Sequence, residues 1–203
     1  PAMMCPAFEG VQALNMKFGQ SVAVLGVGPV GLMTVRAAVL QGAGNVFAIG
    51  SRQVCFNVAR EYGATHLVDY HHEGYVDQIL SENAGPVDNV VLCGGNEKEL
   101  SLGLKMLKNG GTLVNLSAYF SNASIPIQPA VWGFGYGDKT IKGVGCGGGR
   151  LLLSRMAQLI ASGRVAPEKL ITHRFHGMEQ IPEAMDLFLG HDRSLIKPVI
   201  YNG

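Results

Sequence analysis

"SVAVLGVGPVGLM", Ser21 to Met33, decides the fold. Its first five residues, Ser21 to Leu25, form an uncharged, β-branched run of the kind buried on both faces of a parallel sheet. "GVGPVG", Gly26 to Gly31, follows with no spacer. Leu32, Val35, Val39 and Leu40 then recur at helical spacing until Gly42 and Gly44 end the helix. A glycine loop placed directly between a buried strand and a helix has a physical reading. Gly26 permits the tight turn, Gly28 lets backbone approach a pyrophosphate, and Gly31 lets the helix pack on the strand. The helix start, from Pro29 through Val30 to Gly31, offers unpaired N–H groups and a partial positive charge to that pyrophosphate. Pro29 gives up only a donor that has no partner in the first turn.

Working outward, strands alternate with helices. A second strand is predicted at Asn45 to Ile49, a helix at Val54 to Tyr62 and a strand at "THLVDY", Thr65 to Tyr70. A helix "YVDQILSEN" and a strand "VDNVVLCGG" come next. A helix "EKELSLGLKMLKNGG", a strand "TLVNLSA" and a sixth strand "TIKGVG", Thr140 to Gly145, complete the series. This rhythm predicts a doubly wound α/β fold, a parallel six-stranded Rossmann sheet covered on both faces. After Gly149 the rhythm changes. "RLLLSRMAQLIASG" and "IPEAMDLFLG" read as helices, "KLITHRFH" and "LIKPVIY" as strands, and they do not extend the sheet pattern.

In a sheet of this kind the end of the second strand, about 20 residues past the glycine loop, faces the adenosine ribose; a carboxylate there binds the 2′-hydroxyl of NAD and repels the 2′-phosphate of NADP. Here the strand ends in "IGSRQ". Gly50 removes the repulsion and is expected to leave room, Ser51 supplies a donor, and Arg52 supplies a planar charged fork that suits phosphate. Gly50→Asp is accordingly expected to reverse the preference. Tyr70, ending the third strand, is placed to close the adenine side. The nicotinamide half belongs at the carboxyl ends of the fourth and fifth strands, which points by position to Cys93, Gly94, Leu116 and Ser117. His71 and His72 read as a solvated loop.

Composition narrows the function classes. The chain has 203 residues, 47% hydrophobic and 15% charged, with a net charge of +1 from 16 basic and 15 acidic residues. No like-charge run marks a nucleic-acid face or a membrane patch, and the longest uncharged run, Thr112 to Gly137, carries Asn115, Asn122, Pro126, Gln128 and Pro129, unsuited to a lipid span. The four cysteines, Cys5, Cys55, Cys93 and Cys146, stand far apart with no zinc-type spacing, and read as four buried thiols in a reducing cytosol.

With those residues in hand, the chain resembles the zinc-dependent medium-chain alcohol dehydrogenases, and among them the NADP-dependent secondary-alcohol dehydrogenases of bacteria and protists. The carrying stretches are "MKFGQSVAVLGVGPVGLM", "IGSRQVCFNVAREYGATHLVDY", "MLKNGGTLVNLS", "WGFGYGDKTIKG" and "LITHRFHGMEQIPEAMDLF". The resemblance implies that Gly50, Ser51, Arg52 and Tyr70 hold the 2′-phosphate and adenosine. It also implies that a basic residue near the last strand, Lys197 with Arg193 as the alternative, approaches the cofactor phosphates. It divides the chain into a linking helix at 1–20, an NADP-binding domain at 21–146 and a return segment at 147–203 toward a catalytic domain. The family's catalytic zinc is held in that other domain, and where a further aspartate ligand usually stands this chain has Ala2. Zinc is therefore expected only in the full-length enzyme, and this chain alone is expected to be inactive. The substrate implied is a small alcohol or ketone, and the partner a second copy paired through the sheet edge near "TIKGVG". Other medium-chain reductase activities, on polyols or aldehydes, and a non-catalytic NADP(H)-binding module are the alternatives.

Overall fold

The computed structural model describes residues 3–119, 124–190 and 192–202; Ala2 lies outside them. The first helix, α1 (Met4–Ala13), precedes β1 (Val22–Leu25), α2 (Pro29–Leu40), β2 (Val46–Gly50), α3 (Gln53–Glu61) and β3 (His66–Asp69). Then come α4 (Tyr75–Glu82), β4 (Val87–Leu92), α5 (Lys98–Met106), β5 (Leu107–Asn115) and β6 (Thr140–Gly143). These strands form one six-stranded sheet in the order β3-β2-β1-β4-β5-β6, with every neighbouring pair parallel. The chain order reverses between β1 and β4. A crevice opens there at the carboxyl ends of the strands, the position where such sheets take ligands.

All four residues of β1 are buried, but not on one side. Val22 and Val24 join a core with α1, α2 and α3, whereas Ala23 and Leu25 join a second core with α4 and α5. The period of two in a strand sends alternate side chains to opposite faces, so both faces must be covered. An unbroken apolar run is the result.

Two boundaries depart from the sequence reading. The helix predicted through Gly111 stops at Met106, and β5 begins at once at Leu107, paired with Val87. The register then slips before Asn89 meets Thr112, and Gly110, at φ +71°, takes the left-handed conformation that lets the strand absorb the extra residues. Pro167–Leu170 forms a 3₁₀ turn where the strand was predicted to begin.

At the amino ends of the strands, Asp88 ties three of them together. Its carboxylate accepts from Ser21 N at 2.8 Å, from Ser21 Oγ at 2.9 Å and from Lys108 Nζ. Burial raises the Asp88 pKa, but the bonds from Lys108 and Ser21 outweigh it and hold the group below its ordinary value of 3.8. A depressed carboxylate stabilises the fold above its unfolded-state pKa and loses that contribution as the pH falls through the folded-state value. Asp88→Ala is expected to cost about 2 kcal/mol at neutral pH, given the usual worth of bonds to a charged group. In thermal melts against pH, the gap between the two proteins should narrow below the ordinary value of 3.8.

Beyond β6 the chain holds α6 (Arg150–Ala161), β7 (Ile171–His176), α7 (Ile181–Leu189) and β8 (Lys197–Tyr201), with β7 and β8 paired parallel in their own two-stranded sheet. The joints between these elements are fastened to the helices of the main sheet. Tyr62 Oη donates to Ala166 O at 2.7 Å, Arg36 Nε donates to Arg164 O at 2.7 Å, and Lys169 pairs with Glu61 at 2.5 Å. Val165, Leu170 and Ile196 enter the first core. The helices between those joints are barely covered: α6 buries only Met156 and α7 only Ala184, leaving Leu151 65% and Phe188 61% exposed. No described helix is long and apolar enough to cross a membrane.

Candidate dinucleotide cleft

The glycine loop leaves β1 at Gly26, whose φ of +89° is open to glycine and strained for other residues. Gly26 N and Val27 N both donate to Ile49 O, at 3.0 and 3.2 Å, which folds the turn back over the end of β2. At Gly31 a Cβ would lie 2.1 Å from Gly26 O, so helix and loop touch through bare backbone. At Gly28 the nearest atom to a Cβ is Arg52 Nη2, 3.9 Å away, so that position faces open space. Gly26 thus makes the turn, Gly31 the close packing of helix on loop, and Gly28 faces open space. Gly28 caps α2 and Pro29 occupies its first turn, with no acidic side chain there. Among the described residues no acceptor is bonded to the amides of Gly28, Val30 or Gly31. This bare, positively polarised helix end suits a pyrophosphate.

A cleft of about 240 Å³ runs from the loop to the end of β2, lined by Gly26, Gly28, Gly50, Ser51, Arg52 and Tyr70 among others. Ser51 Oγ lies 3.2 Å from Tyr70 Oη, and Tyr70 N donates to Gly50 O at 3.2 Å. Tyr70 remains 49% exposed, its ring tilted against His71. The expectation that Gly50 leaves room needs correction. A Cβ there would fall 2.4 Å from Val27 Cγ2, and Val27 is itself buried. The glycine removes a charge, but its space is filled by the loop's own valine.

The loop before β8 reaches this rim. Arg52 Nη1 donates to Leu195 O, and Arg193 Nη2 donates to Ser51 O at 2.5 Å. Of the two basic residues proposed near the phosphates, Arg193 thus touches the Gly-Ser-Arg turn. Lys197 instead lines an adjoining apolar pocket with Pro29, Ile181 and Phe188.

A second hollow of about 380 Å³ adjoins the cleft, sharing Gly26, Tyr70 and Gly94 with it and adding Ile49, Tyr75, Glu99 and Leu102. Its walls are largely apolar, from Leu25, Ile49 and Leu102 with the rings of Tyr70 and Tyr75. Tyr75, Glu99 and Leu102 carried no sequence signal, because they arrive from α4 and α5 through packing on the opposite face of the sheet.

At the ends of β4 and β5, the positional assignments separate into backbone and side chain. Gly94 N would lie 3.0 Å from a Cβ on Gly26, so β4 meets the loop closely. Cys93 turns its thiol away, 3.3 Å from Thr34 Oγ1 beneath α2, and burial pushes that thiol up to about 12, so it stays protonated. Leu116 N donates to Leu92 O at 2.8 Å while its side chain packs against Gly10 of α1. Ser117 N donates to Asn115 Oδ1 at 3.1 Å, and its buried Oγ has no partner among the described residues. His71 bonds Asp69 at 3.0 Å and is well exposed. Among the described residues no group of three or more His, Cys, Asp or Glu is placed to hold a metal ion. A zinc site does not fit the described residues.

Comparison with known proteins agrees with this geometry. Residues 29–162 match the family model described as zinc-binding dehydrogenase. The chain is 41% identical over 201 residues to the NADP-dependent isopropanol dehydrogenase of Thermoanaerobacter brockii, covering 98% of this chain and 57% of that protein. It is 41% identical over 199 residues to the protein of the same name from Entamoeba histolytica, covering 98% and 54%. The solved alcohol dehydrogenase TADH from Thermus sp. ATN1 superposes with a TM-score of 0.85 at 28% identity, over 99% of this chain and 56% of that one. The chain spans about half the length of the curated relatives it matches.

Proposed function

This chain belongs to the zinc-binding dehydrogenase family, and from that premise we propose that it is the NADP(H)-binding part of an enzyme interconverting secondary alcohols and ketones. One observation carries the reading: Gly50, Ser51, Arg52 and Tyr70 converge beside a helix end bare of acidic side chains. The bound nicotinamide supplies hydride transfer at its C4. The residues of this chain do the holding. The amides at the start of α2 take the pyrophosphate, Ser51 and Arg52 take the 2′-phosphate, and Tyr70 closes over the adenosine. The buried, unpartnered Ser117 Oγ stands where the nicotinamide half is proposed. Zinc, on this reading, is bound by residues outside these 203, and the chain alone does not turn over its alcohol. Residues 1–20 serve as the link, 21–146 as the cofactor domain and 147–203 as the return segment. A second copy pairs along the outer edge of β6.

Isothermal titration of Arg52→Ala tests the assignment. A charge-assisted contact is worth about 1.5 to 3 kcal/mol, so NADP+ should bind about 10- to 100-fold more weakly and NAD+ nearly as before. Equal losses for both cofactors would remove the 2′-phosphate from this turn.

A further inference from the structure

The geometry points to Cys5 and Cys146 as a peroxide-responsive thiol pair that closes to a disulfide between α1 and the segment after β6. Two contacts lay that segment along α1. Lys142 Nζ donates to Ala13 O at 2.7 Å near the helix end, and Gly147 N donates to Glu9 Oε2 at 3.0 Å one turn back. Cys5 and Glu9 are four residues apart on α1 and share a face. Cys146, next to Gly147, is thereby brought over Cys5, close enough for the two thiols to feel each other.

Their surroundings divide the chemistry. All four cysteines are free, but the expectation that all are buried fails: Cys5 and Cys55 are buried, Cys93 is partly covered and Cys146 is exposed. Peroxide therefore meets Cys146 first, while Cys5 is shielded and adjacent, the arrangement of an attacking and a resolving thiol. The Cys146 thiolate attacks one peroxide oxygen; the O–O bond breaks and hydroxide leaves, taking up a proton as water. Cys5 sulfur then attacks the Cys146 sulfenic acid. The S–S bond forms, the S–O bond breaks, and a second water departs with the Cys5 proton. Two thiols lose two electrons, and one peroxide becomes two waters.

Bridging needs the Cβ atoms about 3.5–4.5 Å apart, and the chain around Cys146 is able to adjust. Gly145 and Gly148 would each meet nothing within 4 Å if given a Cβ, so the space beside those two positions is open. In a reducing compartment such a bridge is transient and acts as a sensor. The site lies close to the cofactor floor, since Val144 N donates to Asn115 O at 3.0 Å and the Leu116 side chain packs on Gly10 of α1.

The experiment treats the full chain with hydrogen peroxide, quenches it, alkylates all remaining thiols under denaturing conditions, and maps the peptides by mass spectrometry. The expected result is a Cys5–Cys146 cross-linked peptide lighter by two hydrogens and lost on dithiothreitol, with Cys55 and Cys93 alkylated. Cys5→Ser should abolish the cross-link and leave Cys146 as a sulfenic acid that dimedone traps. Cys146→Ser should leave Cys5 alkylated, since the buried thiol does not meet peroxide by itself. Far-ultraviolet circular dichroism of each variant separates loss of the thiol from loss of the fold. The proposal is overturned if wild-type Cys5 remains alkylated while Cys146 is oxidised, or if Cys146 bridges only to another chain.

Discussion

Gly50→Asp is expected to lower NADP+ affinity more than about 100-fold without creating a sound NAD+ site. Two costs combine. Overpacking a filled site costs typically about 1–3 kcal/mol, and a like charge set against the 2′-phosphate costs several more. The Cβ of the new residue would fall 2.4 Å from Val27 Cγ2, a stiff β-branched atom unable to swing aside. NAD+ should therefore gain little from the carboxylate. Val27→Ala removes the obstructing methyl and retains only the Cβ, which stands 3.8 Å from the new side chain's first carbon, an ordinary contact. The double variant should then bind NAD+ about 10-fold more tightly than Gly50→Asp alone, the worth of one bond to a charged group. Calorimetric titration of the three proteins with both cofactors checks this. Should the single variant already bind NAD+ as well as the double, Val27 is no obstacle.

Gly31→Ala is expected to be the most damaging methyl group that can be added to the loop. Its Cβ would stand 2.1 Å from Gly26 O and 2.9 Å from Gly26 C, and both are backbone atoms with no rotamer to change. Either α2 lifts from the sheet or the turn opens. An overpacked core of this severity costs about 3 kcal/mol, which in a chain of this size lowers the melting midpoint by roughly 6–12 °C. Cofactor binding should fall with it, because the same shift moves the amides of the first turn. Gly143→Ala is the matched control: nothing lies within 4 Å of its Cβ position, and its midpoint should stay near that of the parent. Equal midpoints for Gly31→Ala and Gly143→Ala would mean that helix and loop are not packed as described.

Much of this was legible in the chain because the determinants are local. Ser21 to Gly31 carries its own strand, turn and helix start, and Gly50 to Arg52 stands at a distance fixed by the βαβ unit. What escaped the sequence depends on partners far along the chain. Nothing in "LKNGG" reads as strand; Leu107 becomes one because Val87 pairs with it. Tyr75 and Leu102 enter the hollow beside the cleft because α4 and α5 cover that face of the sheet. Charge at Gly50 was readable, whereas its filled space was not, since Val27 Cγ2 reaches it only after the loop folds back on Ile49. The position of Cys93 just past β4 was readable, but the contact of its thiol with Thr34 beneath α2 was not.

The sheet order has a kinetic corollary. The first strand of this sheet to be made is a central one, with β2 on one side and β4 on the other. As the chain is synthesised, β1, β2 and β3 are complete while one edge of β1 still awaits a partner; Ser21 meets Asp88 only 67 residues later. Closing so long a loop costs little more than closing a short one, because the entropy grows with the logarithm of length. The difficulty is the interval itself. An apolar strand with an unpaired edge is a template for pairing with another nascent chain, and parallel pairings between distant segments form slowly. Refolding yield should accordingly be limited by protein concentration during the time β4 takes to arrive, however stable the finished sheet.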